Sequence, residues 1–322
     1  MIKEEVCCLL FCLFQLVLTL FSNAQAAEQI VLKTVNSAIY GTLETPKGTQ
    51  PVPVALIISG SGPTDRDGNS AIAGKNNSLK MLAEVLAAKG IASVRYDKRG
   101  VAARAGIRPK EEEIRFEVFI KDAEEWGRLL LQDRRFSMLI ITGHSEGALI
   151  GSVACKRIGA QGFISIAGAG RPAFEVIYTQ LKKNTLPELL SEANIILDHL
   201  KKGETTDRVP PSLMYLFRPS IQPYLISWFR YDPAHELSQL TVPVLIVQGT
   251  TDLQVSILDA ELLSKANKSA RLLIIDGMNH VLKTVPNDLE LQIKSYSNPG
   301  LPIPSELTDK MAAFIKELND KK

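Results

Sequence analysis

The sequence predicts an α/β protein with a mostly parallel central sheet, helices on both faces and a helical insertion. Three observations support this prediction. Short apolar runs of the buried-strand kind alternate with helix-period segments along most of the 322 residues, a pattern typical of parallel sheets covered on both faces. Turns rich in glycine follow several of these runs. From about residue 171 to residue 237, helical stretches with scattered prolines replace the strand-like runs.

The first half of the chain alternates strands with helices. Each strand is a short β-rich or apolar run, and the helix over 79–89 ends at Gly90, a common terminator. In order, the predicted elements are a β-hairpin (29–33 and 38–44), a buried strand (52–58), a helix (79–89), a strand (91–96), a long amphipathic helix (111–131) and an apolar strand (138–141).

The second half interrupts the sheet and then resumes it. A strand over 162–167 precedes the insertion, which we predict to be a helical cap with helices at 174–183 and 187–201. Strands at 242–247 and 272–275, a polar proline-bearing loop at 283–304 and a closing amphipathic helix at 305–321 follow. The predicted division is a first core segment (27–170), the cap (171–237) and a second core segment (238–322).

The cap is rich in aromatic side chains. Some of them are candidates to line an acyl or leaving-group pocket, and most are expected to form the core of the cap itself. The aromatic residues are Tyr178, Tyr215, Phe217, Tyr224, Trp228, Phe229 and Tyr231.

Residues 1–26 have the pattern of a secretory signal peptide. A short charged head precedes an apolar run over 6–21, and Ala24-Gln25-Ala26 supplies a small-residue cleavage site. The run is short for a membrane anchor, which needs about 20 apolar residues. We therefore expect a secreted or periplasmic protein without stable membrane insertion after cleavage.

Composition excludes several classes of function. The formal charge of +2 and the absence of a Lys/Arg stripe argue against nucleic-acid binding. Three of the four cysteines lie within residues 1–26, so only Cys155 remains after the predicted cleavage. No internal disulfide can then form, and we expect Cys155 to be a buried structural thiol. No spacing of His, Cys or acidic residues indicates a metal site, and we predict neither a metal nor a cofactor.

Ser145 lies in the pentapeptide Gly143-His144-Ser145-Glu146-Gly147, directly after an apolar strand. A G-x-S-x-G sequence between a strand and a helix is typical of a serine nucleophile on a sharp turn. The flanking glycines allow close approach of neighbouring backbone, which a Cβ atom would prevent. The backbone N–H of Glu146 opens the next helix and is a candidate donor to an oxyanion.

An acid and a base follow the serine in the order typical of hydrolases that have a G-x-S-x-G nucleophile. Asp252 follows one apolar run and His280 follows the next, and serine, acid, histidine is the order of this triad in the chain. We predict that His280 takes the proton of Ser145 during attack and returns it to the leaving group, while Asp252 orients the imidazole. His144 lies within the pentapeptide, and His199 and His235 lie in helical surroundings, so none of these three is predicted to be the base.

The turn after the 52–58 strand, Ser59-Gly60-Ser61-Gly62, is predicted to supply a second oxyanion donor, the backbone N–H of Ser61. The turn lacks the glycine pattern of a nucleotide loop, and the following Asp65-Arg66-Asp67-Gly68 does not match a calcium loop. We expect Asp65 or Asp67 to pair with Lys98 or Arg99 and so to hold this loop in place.

Six segments together carry a resemblance to a known family: 59–69 (SGSGPTDRDGN), 96–100 (YDKRG), 143–147 (GHSEG), 231–233, 249–255 and 277–280. Through them, residues from about 30 to 320 resemble a secreted bacterial branch of the α/β-hydrolases, the serine aminopeptidase-like hydrolases. The characterised members of this branch are largely carboxylesterases. The resemblance implies an α/β-hydrolase fold, nucleophile Ser145, acid Asp252, base His280 and oxyanion donors at Ser61 and Glu146.

The leading functional hypothesis is a cofactor-free serine hydrolase that cleaves small-molecule carboxylic esters. A serine aminopeptidase or amidase with the same triad is the first alternative, and Glu146 is the lone candidate to bind a free amino terminus. A non-catalytic binding protein on a hydrolase scaffold is the second. A thioesterase acting on acyl-CoA is weaker, because export would remove the protein from cytosolic CoA. The oligomeric state is left open.

Overall fold

A computed structural model describes residues 26–34, 37–48, 51–101 and 110–321. The chain forms an eight-stranded sheet with the order β1-β2-β4-β3-β5-β6-β7-β8. The pairs β1–β2 and β2–β4 are antiparallel, and every other pair is parallel. The strands are β1 (Ala26–Thr34), β2 (Ser37–Thr45), β3 (Val52–Ile58), β4 (Ala92–Tyr96), β5 (Phe136–His144), β6 (Gly162–Ile166), β7 (Val244–Gly249) and β8 (Arg271–Ile275).

Helices cover both faces of this sheet, as the alternating pattern predicts. Three short 3₁₀ turns, Glu111–Glu113, Pro211–Leu213 and Pro219–Ile221, accompany them. The helices are α1 (Ser78–Ala88), α2 (Phe116–Gln132), α3 (Glu146–Ile158), α4 (Ala173–Asn184), α5 (Pro187–Lys201), α6 (Met214–Phe217), α7 (Gln222–Trp228), α8 (Pro233–Ser238), α9 (Ile257–Ala266), α10 (Leu289–Ser295) and α11 (Ser305–Asp320).

The core has two parts, one on each face of the sheet. On one face, buried side chains of α1 and α11 pack against the strands. On the other face, α2 and α3 pack against the strands together with the helices that lie between β6 and β7. The central strands β3 to β7 are buried on both faces, which explains their continuous apolar runs.

The stretch between β6 and β7 contains helices α4 to α8, and no strand occurs among residues 167–243, all of which the structure describes. This agrees with the helical character predicted there. The boundaries of the cap at residues 171 and 237 stay a prediction. The predicted signal segment lies outside the described residues, except for Ala26, which begins β1. No helix in the described part of the chain is both long enough and apolar enough to cross a membrane.

Two predicted elements were wrong in detail. The helix predicted over 111–131 begins only at Phe116, because Arg115 is extended and the Phe116 N–H donates to Ser227 Oγ at 2.8 Å. The loop predicted over 283–304 contains α10. There Asp288 accepts a hydrogen bond from the Leu291 N–H at 2.9 Å, so that a short helix forms behind an acidic N-cap.

Candidate active site

Ser145 sits on a sharp turn between β5 and α3. Its backbone has φ 55° and ψ −122°, a conformation that residues with a side chain rarely adopt. The Ser145 N–H donates to the carbonyl of Ile166 in the neighbouring strand at 2.9 Å, which holds the turn against the sheet. The side chain is therefore displayed at the carboxyl edge of the parallel strands, where ligands bind in open α/β sheets.

The glycines on either side of Ser145 allow this turn to form. A Cβ atom on Gly143 would lie 2.1 Å from the carbonyl oxygen of Gly147. A Cβ atom on Gly147 would lie 2.3 Å from the carbonyl oxygen of Ile58 in β3. Both distances are far below van der Waals contact, so helix α3 can start this close to β3 only with glycine at these two positions.

The structure brings together the three residues that sequence order singles out. His280 Nε2 lies 3.1 Å from Ser145 Oγ. On the other side of the ring, His280 Nδ1 lies 2.8 Å from Asp252 Oδ2. The ring therefore connects the hydroxyl with the carboxylate by two contacts of hydrogen-bond length.

Asp252 is buried and held by several donors. Its Oδ1 accepts hydrogen bonds from the backbone N–H groups of Gln254 and Val255, at 2.7 and 3.0 Å. Its Oδ2 accepts from Gln248 Nε2 at 3.1 Å as well as facing His280. Burial alone would raise the pKa of Asp252, but His280 and the two backbone donors outweigh it and lower the pKa. The carboxyl group is thus ionised and positioned to orient the imidazole.

His144 contacts His280, a contact that sequence reasoning missed. Its Nε2 lies 2.7 Å from the backbone carbonyl oxygen of His280, and its ring lies against the His280 ring. Because a carbonyl only accepts hydrogen bonds, Nε2 carries the proton and donates it. Burial lowers the pKa of His144 to about 3, so the ring is neutral at physiological pH. His144 thus fixes the backbone that carries His280.

Ser61 and Glu146 lie beside Ser145, as the two predicted oxyanion donors must. All three residues line one cavity. The backbone of Gly60 approaches the nucleophile so closely that a Cβ atom there would lie 3.2 Å from Ser145 Cβ. Within the described part of the chain, the backbone N–H groups of Ser61 and Glu146 donate to no other group.

The side chain of Glu146 belongs to a buried polar cluster. Lys98 Nζ lies 2.8 Å from Glu146 Oε1 and donates to the carbonyl of Gly60 at 2.5 Å. Tyr224 on α7 donates its hydroxyl to Glu146 Oε2 at 2.5 Å. The side chains of Lys98 and Glu146 are only 3% and 1% exposed, so this ion pair is shielded from water. The sequence indicated neither Lys98 nor Tyr224 as a partner of Glu146.

The expected pairing of Asp65 or Asp67 with Lys98 or Arg99 was wrong. Arg99 instead makes a two-pronged contact with the buried Asp122. Asp65 accepts from the backbone N–H groups of its own turn at 67 and 69. Asp67 faces Arg95 at 3.5 Å. Arg66, which lies between the two acids, holds the loop instead. Its backbone N–H and its guanidinium both bind Asp97, the residue that follows β4.

Two cavities meet at Ser145. The larger, about 300 Å³, lies between α3 and the cap, and we call it the cap cavity. Its walls are mainly apolar, with Leu149, Ile177 and Leu225 among them. The smaller, about 140 Å³, lies on the side of His280, and we call it the histidine-side cavity. Its walls are more polar and include Thr64 and Gln254.

Some of the aromatic residues predicted in the cap line the cavity at Ser145, and others are buried in the core. Tyr215, Tyr224 and Trp228 line the cap cavity, whereas Phe217 and Phe229 are buried in the core. Cys155 is a buried thiol, and burial raises its pKa to about 12. In the described ranges, no group of three or more His, Cys, Asp or Glu residues is arranged to hold a metal ion.

Solved structures of known proteins share this architecture. The chain aligns with Est1E from Butyrivibrio proteoclasticus with a TM-score of 0.58 and 17% identity, over 90% of this chain and 98% of that one. It aligns with the α/β hydrolase GrgF from Penicillium sp. sh18 with a TM-score of 0.60 and 16% identity, over 92% and 99% of the two chains. The fold is therefore the α/β-hydrolase fold.

Sequence similarity shows that the chain is an esterase-like α/β-hydrolase. Residues 73–208 match the family model described as serine aminopeptidase, S33. Over 255 residues the chain is 32% identical to esterase EstD of Thermotoga maritima, and the match covers 77% of this chain and 59% of that protein. The chain thus spans about three fifths of the length of this curated relative.

Proposed function

We propose that the chain is a serine hydrolase that cleaves carboxylic esters through an acyl-enzyme on Ser145. The observation that carries the proposal is the continuous contact from Ser145 Oγ through the His280 ring to Asp252, with distances of 3.1 and 2.8 Å. A serine next to a base, with the base oriented by an acid, is the arrangement that activates a hydroxyl for nucleophilic attack.

The reaction follows from the positions of these groups. His280 Nε2 takes the proton of Ser145 as Oγ attacks the ester carbonyl carbon, and Asp252 stabilises the imidazolium that forms. The tetrahedral intermediate collapses with cleavage of the C–O bond, and His280 returns the proton to the leaving alcohol. A water molecule then repeats these steps on the acyl-enzyme, releasing the carboxylic acid and regenerating Ser145.

The negative charge of the intermediate needs donors that are already in place. The backbone N–H groups of Ser61 and Glu146 are free for this role and lie beside Ser145. Preorganised donors of this kind typically contribute about 10²- to 10³-fold to kcat each. We assign both N–H groups to the oxyanion hole.

The preferred bond is an ester and not a peptide at a free amino terminus. An aminopeptidase needs an acidic group to bind the substrate ammonium, and Glu146 was the lone candidate for that. Its carboxylate is instead engaged by Lys98 and Tyr224 and is only 1% exposed. The similarity to an esterase over 77% of this chain supports the same choice.

The two cavities orient the ester. His280 gives its proton to the leaving group, so the alcohol lies on the side of the histidine-side cavity and the acyl group enters the cap cavity. The larger and more apolar cap cavity favours an alkyl or aryl acyl group, and one structural neighbour, Est1E, was solved with ferulic acid bound. The smaller cavity favours a compact, polar alcohol.

We further propose that the protein acts outside the cytoplasm. The proposal rests on the apolar run at 6–21 and the cleavage site at 24–26. The single thiol of the remaining chain, Cys155, needs no disulfide partner in an oxidising compartment.

Kinetics of a substrate panel test the proposed reaction. We expect turnover of p-nitrophenyl acetate, butyrate and octanoate and of methyl ferulate, and no turnover of aminoacyl p-nitroanilides. Each methylene buried in the cap cavity contributes about 0.8 kcal/mol. Because butyrate has two more methylenes than acetate, its kcat/KM should exceed that of acetate by on the order of tenfold.

Ser145→Ala is the matched control, because it removes one oxygen atom and leaves the cavity walls unchanged. It should abolish ester turnover while thermal unfolding stays close to that of the wild-type protein. Anilide cleavage by the wild type would favour the aminopeptidase alternative. Ester turnover retained in Ser145→Ala would show that the nucleophile is another residue.

A further inference from the structure

We propose that Lys98 is a positioning residue of the oxyanion hole, whose ammonium group holds both backbone donors in their working orientation. The inference rests on the proposed function, since it explains how that site stabilises the oxyanion. It concerns three groups that converge on one buried nitrogen: the carbonyl of Gly60, the carboxylate of Glu146 and, through that carboxylate, the hydroxyl of Tyr224.

Lys98 restrains the peptide between Gly60 and Ser61. Lys98 Nζ donates to the Gly60 carbonyl at 2.5 Å. In a planar trans peptide the carbonyl and the following N–H point in opposite directions. The contact therefore turns the Ser61 N–H away from Lys98, and Ser61 lies on the wall of the cavity that holds Ser145.

The peptide between Gly60 and Ser61 needs such a restraint. Ser61 is exposed, and Gly60 has no side chain to limit rotation of the peptide. If the peptide turned over, the Gly60 carbonyl would replace the Ser61 N–H and would repel an oxyanion. An ammonium that binds the carbonyl opposes this rotation, because turning the peptide would leave a buried charge with one partner fewer.

Lys98 also holds the residue that carries the other donor, Glu146. Glu146 provides the second N–H from its backbone and accepts from Lys98 with its side chain at 2.8 Å. Lys98 Nζ thus contacts the residue before one donor and the side chain of the other. Gly60 lies 38 residues before Lys98 in the sequence, and Glu146 lies 48 residues after it. The Tyr224 hydroxyl closes the cluster from α7 at 2.5 Å, which links the oxyanion hole with the cap.

The charges of the cluster balance, which explains why it can be buried. A buried carboxylate or ammonium without a partner is strongly unfavourable. Here the single positive charge of Lys98 faces the single negative charge of Glu146, and the ring of Phe119 lies 5.3 Å from Lys98 Nζ. A lysine is suited to this position because its compact ammonium can direct separate donors to a carbonyl and a carboxylate.

The test compares variants that remove the anchor without leaving a buried carboxylate unpaired. Lys98→Met alone would leave Glu146 buried and unpaired, so the informative variant is the double substitution Lys98→Met/Glu146→Gln. Its reference is Glu146→Gln, which keeps the lysine contact to Gly60. Arg99→Met/Asp122→Asn is the matched control, because it removes the adjacent buried ion pair, which does not contact Gly60.

We expect Glu146→Gln to lose less than tenfold in kcat and the double variant to lose about 100-fold relative to it, which is the effect of one oxyanion donor. KM for p-nitrophenyl butyrate should stay within about threefold of that of Glu146→Gln, because Lys98 does not line the cap cavity and residue 146 is the same in both variants. The control pair should keep kcat within about threefold of the wild type. Complete labelling by a fluorophosphonate, measured by intact mass, counts the folded sites in each variant.

Two further measurements separate positioning from a general structural role. A trifluoromethyl ketone forms a tetrahedral oxyanion adduct with the serine, and its affinity should fall by the same factor as kcat/KM. A crystal structure of the double variant should show the Gly60 carbonyl turned from its wild-type orientation or in more than one orientation. This structural measurement needs no substrate, so it decides on Lys98 even if the wild-type protein does not cleave esters.

The outcomes distinguish the two proposals. A wild-type protein that neither turns over esters nor accepts the fluorophosphonate would contradict the proposed function. An active wild type with a double variant within threefold of Glu146→Gln and an unmoved Gly60 carbonyl would overturn the inference on Lys98 and leave the esterase proposal intact. An equal loss in the Arg99→Met/Asp122→Asn control would also overturn it, because the effect would then belong to any buried ion pair.

Discussion

Ser145 links backbone strain with chemistry at the scale of a single residue. A non-glycine residue with φ 55° and ψ −122° costs on the order of 1–3 kcal/mol, and it persists only where the surroundings enforce it. Here the Ser145 N–H is bound by the carbonyl of Ile166, and glycines flank the turn. The strain is the consequence of displaying the hydroxyl above the sheet edge, where His280 can reach it.

The sequence indicated those site residues that end strands. Ser145, Asp252 and His280 each follow an apolar run, and parallel strands bring their carboxyl ends to one edge. The partners of Glu146 could not be inferred in the same way, because Lys98 and Tyr224 lie 48 and 78 residues away from it. Their contacts depend on how a loop and a cap helix meet, for which a single sequence has no local pattern.

His144 gives a prediction about pH. Burial lowers the pKa of His144 from 6.5 to about 3, so the unfolded chain binds more protons between these values. The free energy of unfolding should therefore fall as the pH is lowered through this window, by about 2 kcal/mol between pH 8 and pH 5. His144→Gln, whose amide can still donate to the His280 carbonyl, should lack this part of the fall. Urea unfolding of both proteins at pH 8 and pH 5 measures the difference.

Equal losses of stability in the wild type and in His144→Gln would contradict this account. That result would mean that His144 is protonated with little cost inside the fold. Cys155→Ser is a suitable control, since the thiol has its pKa raised to about 12 by burial and does not titrate in this range.

At the scale of elements, the strands follow the sequence more closely than the helix ends do. The apolar run at 52–58 is β3 residue for residue, since a buried parallel strand leaves no polar position within it. The start of α2 and the existence of α10 depend on single hydrogen bonds, from Phe116 to Ser227 and from Leu291 to Asp288. Such bonds are formed with residues whose position the periodic pattern does not specify.

Gly147→Ala tests the close approach of α3 to β3. The added Cβ would lie 2.3 Å from the Ile58 carbonyl and 2.7 Å from that of Ser59. Because backbone atoms cannot move aside as a side chain can, we expect a loss of at least about 2 kcal/mol in the free energy of unfolding. Ester turnover should fall with it, since the turn that carries Ser145 would shift.

Gly300→Ala is the matched control for that substitution. A Cβ there would have its nearest neighbour at 3.5 Å, the side-chain oxygen of Asn298, which is ordinary contact. We expect a change within about 0.5 kcal/mol. Chemical denaturation of both variants against the wild type decides the question, and a Gly147→Ala protein as stable as Gly300→Ala would contradict the proposed geometry of the turn.

At the scale of the whole molecule, the alternation of strands and helices was sufficient to predict the sheet and its coverage. The direction from which the cap meets the sheet was not predictable, because it depends on side chains that pack between α3, α7 and the loop after β3. That packing produces one larger apolar cavity and one smaller polar cavity on the two sides of Ser145. The proposed ester orientation follows from this asymmetry.

The central claim is that Ser145 forms a covalent bond with the substrate acyl group. We would first treat the wild type and Ser145→Ala with a fluorophosphonate and map the adduct by mass spectrometry after proteolysis. The account predicts one adduct per chain, located on Ser145 and absent from Ser145→Ala. Absence of an adduct in the wild type, or an adduct on another residue that persists in Ser145→Ala, would contradict it.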